Sequence, residues 1–218
     1  MRVNRSRGMV IGSLLVAVLA SACSAGGEAG PKGQSAAEVC GGFAKDPAVS
    51  SALEAIAGKD ASLTSAGSEP EKVRTDLRKA ATTPQSGKKR TRGIPFCALE
   101  TAGDEKNVLT ITLREALAVP TGDAGKQSTT TYSTGRLATS SDLYASIYFT
   151  CRMKPPAHEM ILDVELERAD ENEADHPGIR DEQITLANAA ARKVSKELGC
   201  EEDGLATGVP TPTANPTS

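Results

Sequence analysis

Three stretches of the chain alternate apolar and polar residues in the way that a half-buried strand does. In residues 107–117, 142–152 and 159–167, nearly every second residue is Leu, Ile, Val, Met, Phe, Ala or Cys. The residues between them are mostly Thr, Tyr, Ser, Asp, Glu and Arg. One apolar and one polar face is typical of an antiparallel sheet that is covered on one side. Shorter strands are predicted around residues 61–66, 96–101 and 129–138.

Helical patterns precede and follow these strands. Their start and stop signals are a capping box at Ser35–Glu38, an Asp46-Pro47 start before Gly58, an amphipathic stretch at 69–82, and an apolar repeat from Ile184 to Leu198 that ends at Gly199. The sequence therefore predicts an α+β fold in which helices pack on one face of an antiparallel sheet.

The first 22 residues have the three parts of a signal peptide. A basic start is followed by the apolar stretch Met9–Ala20 and by small residues that lead to Cys23. The small residues fit an ordinary cleavage site of a freely secreted protein, or a lipobox whose Cys takes a diacylglyceryl group. The lipobox is favoured because Cys23 directly follows the apolar core. Residues 24–34 also form a small, polar tether. We expect lipidation of Cys23 and anchoring at the extracytoplasmic face of the membrane.

Four further cysteines fit the same compartment. Cys40, Cys97, Cys151 and Cys200 are an even, well-spaced set, which in an exported domain indicates two disulfides. Three pairings are possible. Cys151–Cys200 is favoured because Cys151 points to the apolar face of its strand, where the last helix should pack. That pairing leaves Cys40 to bond with Cys97.

Length and charge limit the domain organisation and the partners. Residues 35–203 fit one domain, and the Pro- and Thr-rich residues 204–218 are expected to be a disordered tail. Loss of residues 1–22 removes three arginines and no acidic residue, which changes the net charge from −3 to −6. An acidic chain without Trp is a poor candidate for binding nucleic acid.

The residue types that usually carry catalysis are scarce. His158 and His176 are the only histidines, and neither lies in an HExxH motif or beside a nucleophile elbow. We expect both to be solvent-exposed. The acidic loop at 170–176 lacks the spacing of a calcium-binding loop and is expected to be solvated. No metal site or cofactor is predicted.

Two surfaces are candidates for binding. The basic run Lys88, Lys89, Arg90 and Arg92 suits anionic lipid headgroups or wall polymers, although a plain solvated loop is the favoured interpretation. The other surface is the polar side of the sheet, where Tyr144 and Tyr148 would lie near Thr110, Thr112, Asp163 and Glu165 if the strands pair as a meander. Packing of side chains between neighbouring strands predicts the same residue types at these positions without any ligand.

Three segments carry a resemblance to a known group of proteins. They are Val39-Cys40-Gly41-Gly42, the strand Tyr148-Phe149-Thr150-Cys151 and the helix end Glu197-Leu198-Gly199-Cys200. Residues Tyr132–Arg136 fit the same pattern. The chain resembles small exported lipoproteins of actinobacteria over residues 36–201. That group is functionally uncharacterised, so the resemblance implies no active-site residues. A looser architectural analogy is to disulfide-bonded extracytoplasmic sensor domains.

The expected function is non-enzymatic binding of a ligand or an envelope partner by a membrane-anchored domain. One alternative is an envelope hydrolase that uses carboxylates such as Asp163 or Glu165 as acid and base. Another is a structural component of an envelope assembly.

Overall fold

A seven-stranded antiparallel sheet and four helices make up the part of the chain that the computed structural model describes, which is residues 33–83, 92–103, 105–121, 129–169 and 178–213. In chain order the elements are α1 (Val39–Gly42), α2 (Pro47–Ala57), β1 (Leu63–Ser65), α3 (Pro70–Thr82), β2 (Ile94–Thr101), β3 (Asn107–Ala116), β4 (Thr130–Thr131), β5 (Leu137–Ser140), β6 (Tyr144–Cys151), β7 (Met160–Arg168) and α4 (Ile179–Leu198). The three long strands and the α+β class are confirmed.

The order of the strands in the sheet is β1-β2-β3-β7-β6-β5-β4. β7 follows β3 and β6 in the chain but lies between them, so these three strands do not pair as a meander. In the central position β7 has a partner on each side for its backbone hydrogen bonds. Its apolar face continues the core across the sheet, since Leu113, Val164 and Ile147 are register partners and are fully buried.

The segment predicted as one strand at 129–138 is two short strands separated by a tight reversal. Gly135 lies in this reversal with a φ of 58°, in the left-handed region. A Cβ atom built on Gly135 would come within 2.5 Å of the carbonyl oxygen of Tyr148 on β6. Glycine therefore lets the chain approach β6 closely before β5 begins.

α1 is a short distorted turn and not the regular helix that its capping box predicts. The carboxylate of Glu38 does accept hydrogen bonds from Ser35, at 2.8 Å from Oγ and 3.1 Å from the backbone N, and these bonds lower the pKa of Glu38. Cys40 and Gly41, however, have φ values of 48° and 70°. The left-handed backbone ends the helix, and the Cys40 N–H bonds to Ser65 Oγ at 3.3 Å.

α2 and α3 begin and end close to where the sequence indicates, whereas α4 begins at Ile179, ahead of the apolar repeat that starts at Ile184. The Asp46 carboxylate accepts the Ala48 N–H at 2.9 Å and caps α2, and Gly58 follows the end of this helix. Gly199, in the left-handed conformation, ends α4. α3 contacts β2 and β3, whereas α4 contacts β5, β6, β7 and α2.

Both disulfides join the residues that we favoured. Cys40 bonds to Cys97 and links α1 to β2, and Cys151 bonds to Cys200 and links β6 to the chain after α4. Structural disulfides persist in oxidising compartments. The two bonds therefore indicate an extracytoplasmic location.

Residues 204–213, here called the C-terminal segment, pack against the domain, so the prediction of a disordered tail from Gly204 is wrong for them. The Ser133 N–H donates to the Thr211 carbonyl at 2.9 Å, and the Thr213 N–H donates to the Thr131 carbonyl at 2.8 Å. Composition cannot reveal this pairing, because it uses backbone groups that every residue type has. Residues 214–218 lie outside the described residues, as does the predicted signal peptide.

The C-terminal segment also covers one edge of the sheet. It pairs beside β4, while at the opposite edge Gln34 exchanges backbone hydrogen bonds of 2.6 and 3.1 Å with Leu63 of β1. Exposed edge strands are templates for aggregation. Both outer strands are thus protected over part of their length.

Replacing Asn188 by Ala should release the C-terminal segment and lower the free energy of unfolding by about 2 kcal/mol, because it removes three hydrogen bonds, one of them with the buried Thr134 hydroxyl. The buried Asn188 side chain accepts from Thr134 Oγ1 at 2.7 Å and donates to the carbonyls of Ala206 and Gly208 at 2.9 and 3.2 Å. Urea unfolding and hydrogen exchange of the Ala206 amide measure the two effects. Asn107→Ala, at an exposed position, is the control, and equal losses in both variants would contradict the role of Asn188.

Candidate functional site

The polar side of the central strands forms two cross-strand rows. Arg114 of β3, Asp163 of β7 and Tyr148 of β6 are register partners in the first row. The second row contains Thr112, Glu165 and Ser146 on the same three strands. Partners in an antiparallel register share a face of the sheet. These six residues, together with Glu167 and Tyr144 in the next row, are called the polar sheet face below.

Arg114 joins the two rows. Its Nε lies 2.9 Å from Asp163 Oδ2, and its Nη2 lies 2.8 Å from the same oxygen and 2.6 Å from Glu165 Oε2. The other oxygen of Asp163 accepts a 3.0 Å hydrogen bond from Ser146 Oγ. One guanidinium therefore holds two carboxylates from alternate positions of β7, on either side of Val164.

Asp163 is buried although it lies on the polar side of the sheet. It is 1% exposed, whereas Arg114 and Tyr148 beside it are partly exposed. A buried carboxylate requires a cation and hydrogen bonds in compensation. Arg114 and Ser146 provide them, so this network is satisfied within the chain.

The charges of the network also act on its neighbours. Burial opposes the charge on Arg114, but the carboxylates of Asp163 and Glu165 outweigh it and raise the pKa of the guanidinium. Burial and, next, the Asp163 carboxylate raise the pKa of Tyr148. The Tyr148 phenol is therefore neutral at physiological pH and can still donate a hydrogen bond.

Tyr144 and Glu167 form the exposed rim of the polar sheet face. Tyr144 is 46% exposed, and its hydroxyl donates to Glu167 Oε1 at 3.3 Å. A tyrosine at such a position presents both apolar area and a polar tip to the solvent.

The predicted candidates on this side of the sheet do lie together. Tyr144 and Tyr148 share it with Asp163 and Glu165, and Thr110 and Thr112 follow on β3. Sequence reasoning missed Arg114 and Ser146 as members of the network. Both occupy polar positions of the alternating pattern, which was the available signal. The pattern alone does not show which polar residue pairs with which.

Of the predicted basic run, only Arg92 lies within the described residues. It is exposed and lines a groove of about 510 Å³ between α3 and the start of β2. Lys88, Lys89 and Arg90 lie outside the described residues. On α3, Lys72 pairs with Glu69 at 2.9 Å, and Arg74 pairs with Glu71. The positive charge of this helix is thus partly neutralised.

His158 is less exposed than predicted. Its ring Nε2 is buried and lies 3.6 Å from Oε1 of Glu115, whose side chain is 5% exposed. Glu115 occupies a core-facing position of β3 and lies beside His158, which precedes β7. His176 and the acidic loop at 170–176 lie outside the described residues.

Within the described ranges, no group of three or more His, Cys, Asp or Glu side chains could hold a metal ion. No helix in this part of the chain has the length and apolarity that crossing a bilayer requires. Comparisons with protein-family models, curated proteins and solved structures give no match.

Proposed function

We propose that this chain is an extracytoplasmic lipoprotein, anchored through Cys23, whose domain binds a partner protein at the cell envelope without catalysing a reaction. The resemblance of its cysteine-containing segments to exported actinobacterial lipoproteins supports this proposal. The two disulfides support the compartment. The observation that carries the proposal is the polar sheet face, which combines partly exposed side chains with a fixed internal network.

We infer that the helices pack only on the opposite side of the sheet. The core side chains Leu113, Val164 and Ile147 alternate with the polar sheet face along their strands. α3 and α4 lie against these same strands and their neighbours. With all helices on the apolar side, the polar sheet face is left open to a partner.

The shape and charge of this face favour a protein partner with a basic surface. The residues lining the two large grooves do not include those of the polar sheet face, so a broad contact suits it better than an enclosed small molecule. Its eight residues contain three carboxylates and one guanidinium. Complementary charge gives such contacts specificity and a high association rate.

The test is capture of partners from a detergent-solubilised envelope extract by the immobilised full-length protein, with two matched charge reversals. Glu167→Lys changes the rim of the polar sheet face, and Glu54→Lys makes the same change on an exposed position of α2. We expect Glu167→Lys to reduce capture of the bound protein at least tenfold. The Glu54→Lys variant should behave like the wild type.

Binding of the captured protein is then measured with purified components at two salt concentrations. An acidic face that meets a basic partner predicts weaker binding at higher salt. Equal binding by both variants would show that the partner uses another surface. Capture of several proteins in fixed ratio would favour the structural component of an assembly.

A carboxylate hydrolase is the second candidate, because Asp163 and Glu165 converge on Arg114. We favour binding, since the guanidinium lies between the two carboxylates and is ion-paired with both, which is the arrangement of a structural network. Envelope glycan hydrolysis by the wild type that is abolished in Glu165→Gln would reverse this preference.

A further inference from the structure

A second groove runs along α4, remote in the fold from the polar sheet face. It has a volume of about 890 Å³ and lies between the α1–α2 connection, α4 and the C-terminal segment. Ligand sites in proteins commonly have volumes of 300 to about 1,000 Å³. We call this feature the α4 groove.

The apolar part of the α4 groove is held in place by the core. Phe43 lies in its wall and packs edge-on against Phe96, with the ring centroids 5.8 Å apart. Val49 and Leu205 line it from α2 and the C-terminal segment. Cys200, at one end, is fixed by its disulfide to Cys151. Phe43 and Val49 are fixed in place but only 6% and 7% exposed, so the partly exposed Leu205 offers much of the apolar contact together with the edges of these two side chains.

The acidic side chains of the α4 groove are engaged within the protein. Asp46 caps α2. Asp203 accepts hydrogen bonds from Ser195 and from the Leu205 N–H. Glu197 pairs with Lys193 at 2.8 Å. The hydrogen bonds and the ion pair orient these three carboxylates, but all three keep their negative charge.

Two lysines of the α4 groove, unlike its acidic side chains, are not held by polar contacts with other described residues. Lys45 lies on the α1–α2 side and Lys196 on α4, and both are exposed. Neither forms an ion pair or a side-chain hydrogen bond with another described residue. Arg192, on the same face of α4, donates to the Thr207 carbonyl at 2.5 Å and retains its charge. With Lys193, the four cationic side chains of the groove outnumber its three carboxylates by one, so its net charge is positive.

We propose that the α4 groove binds an anionic amphiphile, that is, a molecule with an acyl chain and a phosphate or carboxylate headgroup. The headgroup lies between Lys45 and Lys196, and the chain lies along Phe43, Val49 and Leu205. Apolar contact supplies affinity through burial of the chain, and the lysines select the sign of the headgroup. This site is independent of the partner surface on the sheet.

The experiment titrates the isotope-labelled protein with dodecyl phosphate below its micelle concentration and follows the amide resonances of Ala189 and Leu205. We expect saturable shifts at these residues, with the spectrum of the folded protein retained. Dodecyltrimethylammonium should bind at least tenfold more weakly, and inorganic phosphate should give no saturable shift at the same concentrations.

Two charge-reversal variants complete the test. Lys45→Glu/Lys196→Glu should weaken dodecyl phosphate binding at least tenfold, whereas Lys59→Glu/Lys79→Glu changes the net charge equally outside the groove and should not. Equal binding of the cationic and anionic probes would overturn the proposal. Equal weakening by both variants, or the absence of saturable shifts, would overturn it as well.

Discussion

Replacing Cys151 and Cys200 together by Ala should lower the free energy of unfolding by about 4 kcal/mol. The bond spans 49 residues in sequence, and loop-closure entropy for such a span gives this value. Replacing Cys40 and Cys97, which are 57 residues apart, should cost a similar amount. Small domains are stable by only about 5–15 kcal/mol. A variant that lacks both bonds should therefore be largely unfolded at 37 °C.

Urea unfolding followed by circular dichroism, with and without a reducing agent, measures these losses. Cys23→Ser is the matched control, because Cys23 is not part of either disulfide. Its unfolding midpoint should equal that of the wild type. A wild-type domain that keeps its midpoint after complete reduction would contradict the stabilising role of the two bonds.

Replacing Arg114 by Met should cost about 3–5 kcal/mol, which is the usual effect of removing one partner of a buried ion pair. Asp163 would keep the hydrogen bond from Ser146 but lose the cation that compensates its burial. Glu165→Gln should cost less than about 1 kcal/mol, because the Glu165 side chain is 35% exposed and its ion pair with Arg114 is partly screened by solvent.

A double variant separates the loss of the pair from the cost of a stranded charge. Arg114→Met/Asp163→Leu removes both charges, and it should recover most of the stability that Arg114→Met loses. The readout is the free energy of unfolding at pH 7 in urea under oxidising conditions. If Arg114→Met costs no more than Glu165→Gln, the buried carboxylate does not depend on its guanidinium.

Much of the fold was predictable because burial on one side of a strand leaves a period of two in the sequence. β3, β6 and β7 carry that period clearly. The disulfides followed from it, since Cys151 occupies an apolar position facing the last helix. The place of β7 between β3 and β6 was not predictable, because alternation reports which face a residue occupies and carries no information about the neighbouring strand.

The failures at α1 and at the C-terminal segment have a different cause. At α1, tertiary bonds to Cys97 and Ser65 hold Cys40 in a left-handed conformation that local helix signals do not anticipate. The C-terminal segment is held by Asn188 of the preceding helix and by backbone hydrogen bonds with Thr131 and Ser133, which are far away in the sequence. In both places a long-range contact overrides the local composition.

The candidate site was predictable as a surface but not as a network. Tyr148, Asp163 and Glu165 fall on the polar side by alternation alone. The burial of Asp163 arises from its register with Arg114 and Tyr148, and register is a property of strand pairing. A row of polar residues in one strand could not have distinguished a solvated face from a buried ion pair.

The positions of the two ends of the described chain have a mechanical consequence. Gln34 leaves the sheet at β1 and Thr213 at β4, on opposite edges, so tension between them would separate neighbouring strands in turn. The disulfides close segments spanning 57 and 49 residues, which cannot be drawn out while the bonds remain. More than half of residues 34–213 would thus resist stretching, and only reduction would let the chain extend fully.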